Sequence, residues 1–134
     1  MKKLIFLSLL AIATLSSCGQ EVKQEVKQEV NDNVKNAILG VAEYKKVVVG
    51  NDVQLVDVRT PKEYNAGIID DAINIDFMNQ ETFKEAFEKL DKNKPLYIYC
   101  RSGNRSQKSV PLLEAMGFKE IYDLKGGYLS WAEQ

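Results

Sequence analysis

The order of hydrophobic and polar residues divides the chain into an apolar start, a polar repeat and a longer stretch of alternating strand-like and helix-like runs. Short apolar runs rich in β-branched residues, bounded by Gly, Pro, Asn or Asp, are typical of buried strands. This pattern predicts strands at residues 53–58, 72–75, 96–100 and 118–124.

Helical spacing of apolar residues predicts the elements between these strands. The apolar positions from Val34 to Val41 predict a first helix over residues 33–46. Thr60 and Pro61 have the residue types of an N-cap and a first helical position, and they predict a short helix after the first strand.

The second half of the chain continues this alternation. Asn79 is a candidate cap for an amphipathic helix whose apolar face contains Phe83, Ala86, Phe87 and Leu90. A further helix is predicted from residue 105 or 106 to residue 116 with Pro111 inside it, and a final helical turn or two over residues 128–132. Strands that alternate with helices predict an α/β fold, a single domain with a mostly parallel central sheet and helices on both faces.

Composition narrows the possible functions. The 134 residues fit one domain, and 45% hydrophobic with 28% charged residues is typical of a globular protein. A net charge of -1 gives no basic surface for nucleic acid, so no nucleic-acid partner is expected. The chain contains no histidine, which excludes Ser-His and Cys-His dyads and histidine-based zinc sites. We expect no metal and no cofactor.

The first residues have the pattern of a secretory signal, because Lys2 and Lys3 precede an apolar run over residues 4–15 that is short for a permanent membrane span. The sequence Leu15-Ser16-Ser17-Cys18-Gly19 resembles the lipobox of bacterial lipoproteins, although serine before the cysteine is a less usual choice. This resemblance implies a signal peptide over residues 1–17 and lipidation at Cys18. The alternatives are an ordinary cleaved signal with a chance cysteine, or a disulfide between Cys18 and Cys100.

The next segment is a charged tether over residues 18–33, where Glu21-Val22-Lys23-Gln24 is repeated almost twice more. It could form a transient helix or stay a solvated spacer. The folded domain is expected over residues 34–134. The implied location is the exported bacterial cell envelope, with a lipid-anchored domain in the periplasm.

The segment with the most chemical information follows the predicted strand 96–100 and reads Cys100-Arg101-Ser102-Gly103-Asn104-Arg105-Ser106. A loop between a strand and a helix lies at the carboxyl end of a parallel sheet, where helix N-termini present free amides. Gly103 accepts a positive φ, its neighbours are small and polar, and two arginines add positive charge. These features favour a reactive Cys100 thiolate in an anion-binding loop over a buried structural cysteine.

This loop resembles the active-site loop of rhodanese-like sulfurtransferases. Two further segments are similar to that family's first and closing signatures, namely Leu55-Val56-Asp57-Val58-Arg59-Thr60-Pro61-Lys62-Glu63-Tyr64, and Gly117-Phe118 with Leu124-Lys125-Gly126-Gly127-Tyr128-Leu129-Ser130-Trp131. The resemblance covers residues 34–134. Ile68 and Asp71 depart from it, because the family usually has histidine and glycine at these positions.

The resemblance implies a sulfurtransferase in which Cys100 attacks the outer sulfur of a donor such as thiosulfate and carries it as a persulfide. The expected anion contacts are Arg101, Ser102, Gly103, Asn104, Arg105 and Ser106. Arg105 could instead brace the loop. The residues expected to support the loop structurally are Asp57, Arg59 and Glu63. The implied partners are a small anionic sulfur donor, a thiol or cyanide-like acceptor that could be a thioredoxin-like protein, and a membrane reached through the lipid anchor.

Two other functions compete with this interpretation. A membrane-tethered sulfur carrier or thiol redox partner would form a persulfide or mixed disulfide on Cys100 without turnover. A phosphatase or arsenate reductase also uses a cysteine and an arginine in an anion loop, but with five residues between them. Here only four residues separate Cys100 from Arg105. That shorter loop favours a single sulfur atom over a tetrahedral phosphate.

Overall fold

The computed structural model describes residues 34–134, which contain one parallel sheet in the strand order β1-β5-β4-β2-β3. The strands are β1 (Lys35–Leu39), β2 (Gln54–Asp57), β3 (Ile73–Asn74), β4 (Leu96–Tyr99) and β5 (Glu120–Leu124). The helices are α1 (Val41–Val48), α2 (Pro61–Asn65), α3 (Gln80–Phe87), α4 (Asn104–Ala115) and α5 (Gly127–Ala132). The predicted α/β class is confirmed, and every strand pair of the described sheet is parallel.

Two hydrophobic cores cover the two faces of the sheet, because successive strand side chains point to opposite sides. One core joins the central strands to α3 and α4 and contains Val56, Ile98, Ile121, Phe83, Phe87 and Leu113. The other joins them to α1 and the start of α5 and contains Leu55, Tyr99, Leu124, Tyr44 and Val48. Cys100 belongs to the first core, so its side chain lies on the α3 and α4 side.

The prediction of a first helix over residues 33–46 is wrong for the first half of that range. Residues Lys35–Leu39 form β1, which pairs along its whole length with β5, and the helix begins only at Val41 after the N-cap Gly40. β1 is an edge strand and most of its side chains are exposed. Its burial pattern therefore lacks the signature of a core strand, and its conformation depends on pairing with a strand more than eighty residues later.

The other predicted elements are confirmed with shifts of a few residues at their ends. α2 begins at Pro61 with Thr60 as its N-cap, and Asn79 caps α3. α4 contains Pro111 as predicted and begins at Asn104, one or two residues before the predicted start.

The predictions for the leader lie outside the described residues: the signal peptide over residues 1–17, lipidation at Cys18 and the tether over residues 18–33. Within residues 34–134, none of the helices is both long and apolar enough to cross a bilayer.

Candidate active site

Cys100 lies directly after β4, at the carboxyl end of the sheet, and its side chain is only 1% exposed. Its sulfur accepts a hydrogen bond from the backbone N–H of Gly103 at 3.1 Å and one from the Ser106 hydroxyl at 3.4 Å. Gly103 is the N-cap of α4 and has φ 99°, a left-handed conformation that favours glycine. The loop therefore directs a backbone donor and the positive end of a twelve-residue helix towards the sulfur.

The remaining loop residues divide into an exposed and a partly buried group. The side chains of Arg101, Ser102 and Asn104 are exposed, whereas Arg105 is half-buried. Among the residues predicted to contact an anion, the structure brings Gly103 and Ser106 to the sulfur.

Arg105 forms a two-pronged ion pair with Glu63, with Nη1 2.8 Å from Oε2 and Nη2 2.7 Å from Oε1. The hydrogen bonds from Arg105 are the main cause that lowers the pKa of Glu63 to about 2, and they outweigh the opposing effect of burial. The same pair raises the pKa of Arg105. Arg105 thus braces the loop against α2, which was one of the two roles that the sequence left open.

Glu63 can reach Arg105 because the capping box of α2 fixes its carboxylate. The Thr60 backbone N–H and hydroxyl donate to Glu63 Oε2 at 3.0 and 2.9 Å, and the Glu63 N–H donates back to the Thr60 hydroxyl at 3.4 Å. Pro61 occupies the first helical position, where its missing N–H costs no hydrogen bond. A local helix-start motif therefore supplies the anchor for the cysteine loop.

Asp57 and Arg59 form a second, separate pair at the end of β2. Arg59 donates to both carboxylate oxygens of Asp57, and its Nη2 also donates to the Gly67 carbonyl at 2.6 Å. Its guanidinium lies 4.1 Å from the ring centroid of Tyr128. Burial lowers the pKa of Arg59 more than any other single cause, but the hydrogen bonds that Arg59 donates to Asp57, the charge of Asp57 and the neighbouring Tyr99 together outweigh burial and raise the pKa. The three predicted supporting residues thus belong to two ion pairs, Arg59 with Asp57 and Arg105 with Glu63, and only the second pair includes a residue of the cysteine loop.

The closing segment of the chain packs on the backbone of the cysteine loop. The Tyr128 N–H donates to the Cys100 carbonyl at 2.8 Å, and the Leu129 N–H donates to the Arg101 carbonyl at 3.0 Å. Gly127 has φ 61°, and a Cβ at this position would lie 2.5 Å from the Cys100 carbonyl oxygen. No other residue type fits this contact without moving the loop.

The family model for the rhodanese-like domain matches residues 40–134. The chain belongs to the rhodanese-like family. This match confirms the resemblance seen in the cysteine loop and its two flanking signatures, and it covers every described element after β1.

Solved structures and curated proteins agree with this assignment. A rhodanese-like domain protein from Staphylococcus aureus is 34% identical and superposes with a TM-score of 0.61, covering 73% of this chain and 91% of that one. The thiosulfate sulfurtransferase GlpE of Shewanella oneidensis is 33% identical over 95 residues, which are 71% of this chain and 91% of that protein.

Some longer proteins also match this chain over the rhodanese-like domain. The tRNA uridine(34) hydroxylase of Pelagibacter ubique is 36% identical over 99 residues, which are 74% of this chain but 33% of that protein. The rhodanese-like chain therefore spans about a third of the length of the hydroxylases that it matches first.

Sequence reasoning missed one charged residue beside this rhodanese-like site. Asp123 near the end of β5 is 1% exposed, and neither carboxylate oxygen has a hydrogen-bond partner among the described residues. The available signal was its spacing from Ile121, because residues two apart in a strand share a face. An acid on the face of Ile121 had to be buried beneath α4.

Proposed function

We propose that this rhodanese-like protein is a sulfurtransferase in which Cys100 carries sulfane sulfur as a persulfide. The observation that supports the proposal most directly is the sulfur of Cys100, held 3.1 Å from the Gly103 N–H at the N-terminus of α4. A negative charge on this sulfur meets a backbone donor and a helix dipole, so the nucleophile needs no histidine.

The reaction proceeds in two displacements. The Cys100 thiolate attacks the outer sulfur of a donor such as thiosulfate, a new S–S bond forms, and the bond to the sulfonate sulfur breaks so that sulfite leaves with the electron pair. A thiolate or cyanide then attacks the outer sulfur of the persulfide, and the Cys100 thiolate leaves. No cofactor and no external oxidant or reductant enter this balance.

The loop stabilises charge rather than moving protons during these steps. The Gly103 N–H and the Ser106 hydroxyl donate to the inner sulfur, and free loop amides together with the exposed Arg101 are suited to the sulfonate of an arriving donor. Arg105 contributes positive charge nearby, although its guanidinium is committed to Glu63.

Two comparisons bear on the donor. The relative that this chain covers almost end to end carries the name thiosulfate sulfurtransferase, which supports a small anionic donor. The match covers only about a third of the hydroxylase relatives' length, so their activity on tRNA is not proposed for this chain. The net charge of -1 also gives no reason to propose a nucleic-acid substrate.

The test is turnover of thiosulfate and cyanide to thiocyanate by the full chain. We expect multiple turnovers for the wild type and none for Cys100→Ser, whose hydroxyl is a far weaker nucleophile of similar size. The control is Glu85→Gln, which changes an exposed residue of α3 outside the cysteine loop and should keep the wild-type rate. Equal rates of thiocyanate formation by the wild type and Cys100→Ser would refute the proposal. A single stoichiometric burst without turnover would favour a sulfur carrier.

We also propose that the protein is exported and held at a bacterial membrane by lipid on Cys18, so that sulfur transfer takes place in the periplasm. The support is the sequence alone: a basic start, an apolar run, the lipobox-like segment before Cys18 and a charged tether. A thioredoxin-like protein of that compartment is the acceptor that we propose.

A further inference from the structure

A cavity of about 200 Å³ lies between β1, β5 and α4. Its apolar walls are formed by Ile38 of β1, Ile121 of β5 and Val110 of α4, and the amide side chains of Asn36 and Gln107 border it. Ile38 and Gln107 are exposed, so the cavity opens to solvent on their side. This volume equals the liquid share of about six or seven water molecules, so a chain of about six heavy atoms fits it.

The buried acid Asp123 also lines this cavity. Asp123 pairs in register with Ile38 of β1 on one side and with Ile98 of β4 on the other. Side chains two apart in a strand share a face, and Ile121 belongs to the core beneath α4, so the Asp123 carboxylate points to the same side. Asp123 is only 1% exposed and therefore lies at the inner end of the cavity.

The Asp123 carboxylate lacks a partner within residues 34–134. Neither of its oxygens accepts a hydrogen bond, and no lysine or arginine of this range forms an ion pair with it. Burial is the main cause that raises the pKa of Asp123 to about 6, while Ser106 and the Leu124 backbone N–H partly oppose it without regular hydrogen-bond geometry. The carboxylate is therefore ionised at neutral pH, and a buried charge without a partner is costly.

Two polar side chains near Asp123 are committed to other atoms. The pKa of Tyr44 is raised by burial and then by the Asp123 charge, but its hydroxyl donates to the Ile98 carbonyl at 3.0 Å. The Ser106 hydroxyl donates to the Cys100 sulfur at 3.4 Å, and a hydroxyl has only one proton to donate. A counter-charge for Asp123 must therefore come from outside the described residues.

We propose that this cavity binds a primary ammonium group on a short aliphatic chain, with the Asp123 carboxylate as its anionic partner. An ammonium group has a positive charge and three donors, whereas an ionised carboxylate only accepts. Glu114 of α4, which accepts from the Asn36 amide, adds a second negative charge at the edge of the cavity. The apolar walls suit the methylene groups of the chain, whereas a metal ion would need several oxygen ligands around one point.

The experiment titrates the ¹⁵N-labelled full chain with n-pentylammonium at about pH 7.5 and constant ionic strength, followed by NMR. We expect saturable shifts at the backbone amides of Ile38, Ile121 and Asp123 and at the side-chain amides of Asn36 and Gln107. 1-Pentanol has the same chain without the charge and should bind about tenfold more weakly or worse. Pentanoate has the opposite charge and should not bind.

The substitution Asp123→Asn removes the charge with almost no change of shape. We expect it to weaken pentylammonium binding about tenfold or more, because the ammonium group loses its charged acceptor. Glu120→Gln is the matched control, because it removes the other acid of β5, whose side chain lies on the opposite face of the sheet. It should bind pentylammonium as tightly as the wild type.

Equal affinity of the wild type for pentylammonium and 1-pentanol would overturn the proposal, as would unchanged binding by Asp123→Asn. A cavity that holds only water would give no saturable shifts, and this result would overturn it too. The comparison of the two ligands needs only the wild type, so it covers the case of an Asp123→Asn variant that does not fold. Binding here involves no sulfur chemistry, so the outcome stands apart from failure of thiosulfate turnover.

The same ammonium group occurs in free amines and in lysine side chains. A parallel titration with Nα-acetyl-lysine N-methylamide separates these two sources. Tighter binding than that of pentylammonium identifies the lysine side chain of a polypeptide as the occupant, and weaker binding identifies a free amine. In both cases the binding should depend on Asp123 in the same way, and binding of the lysine compound that Asp123→Asn leaves unchanged counts against the site.

Discussion

At the scale of single residues, the charged groups near Cys100 have separable roles. Glu63 and Arg105 hold the loop from the side of α2, whereas Asp57 and Arg59 fix the end of β2 and the turn at Gly67. The first pair is partly exposed and the second is almost fully buried. Substitutions in the first pair should therefore affect the loop more than the fold.

The Glu63 carboxylate should stabilise the fold in a pH-dependent way. Its pKa is lowered from 4.5 to about 2, so its contribution is complete above pH 4.5 and is lost as the pH falls towards 2. We expect Glu63→Gln to lower the free energy of unfolding at pH 7 by about 1–2 kcal/mol, allowing for the partial exposure of the pair. Denaturant titrations at several pH values measure this.

The control for that measurement is Glu88→Gln, which removes the surface pair with Lys92. Exposed pairs contribute little, so no clear change is expected. Equal losses in both variants, or a Glu63→Gln loss that persists unchanged at pH 2, would contradict the role given to Glu63.

The ionised Asp123 carboxylate should lower the free energy of unfolding, whereas the Glu63 carboxylate raises it. The pKa of Asp123 is raised from 3.8 to about 6, so ionisation in the folded state is disfavoured and this cost appears as the pH rises through that interval. We expect Asp123→Asn to equal the wild type in unfolding free energy near pH 4 and to exceed it by up to about 3 kcal/mol at pH 8. A variant that is less stable than the wild type at pH 8 would show that the ionised carboxylate has a partner.

Residue-level chemistry was only partly predictable from the sequence. The cysteine loop could be recognised because its members are consecutive, and the Thr60 capping box because its members are three apart. The pair of Glu63 with Arg105 joins residues 42 positions apart, and Asp123 comes to lie beside Ile98 only through the pairing of β5 with β4. Such contacts depend on the tertiary fold and have no local pattern.

At the scale of elements, the start of α5 holds the cysteine loop in place. Its first N–H groups bind the carbonyls of Cys100 and Arg101, and Gly127 provides the close approach. The sequence predicted the turn at this position but not its contact with the loop. It also predicted a helix where β1 forms, because an exposed edge strand lacks the apolar alternation of a core strand.

The substitution Gly127→Ala should push the start of α5 away from the cysteine loop. The added Cβ meets the Cys100 carbonyl oxygen at 2.5 Å, and φ 61° is unfavourable for alanine. We expect about 1–3 kcal/mol of destabilisation and at least a tenfold loss of thiocyanate formation. Thermal unfolding and the turnover assay measure these two effects.

Gly40→Ala is the matched control, because its φ is -66° and no heavy atom lies within 4 Å of an added Cβ. It should leave activity unchanged. If Gly127→Ala behaves like Gly40→Ala, the loop does not depend on the start of α5.

At the scale of the whole molecule, a rhodanese-like domain follows a leader whose features predict export and lipidation. The family and the parallel α/β sheet could be predicted because three signatures occur in consistent order along one hundred residues. The leader predictions rest on residues 1–33, which lie outside the described part of the chain.

Lipidation can be tested in a bacterial host grown with a labelled fatty acid. We expect label on the wild-type protein in the membrane fraction, and loss of both label and membrane association in Cys18→Ala. Cys100→Ala controls for acylation at the other cysteine and should remain labelled. Equal labelling of wild type and Cys18→Ala would contradict the lipid anchor.

Whether Cys100 carries sulfane sulfur can be measured by mass spectrometry of the intact protein after incubation with thiosulfate. We predict one added sulfur atom per chain, located on the peptide that contains Cys100, removed by cyanide and absent from Cys100→Ser. A wild-type protein that gains no sulfur, or a Cys100→Ser variant that gains as much, would contradict it.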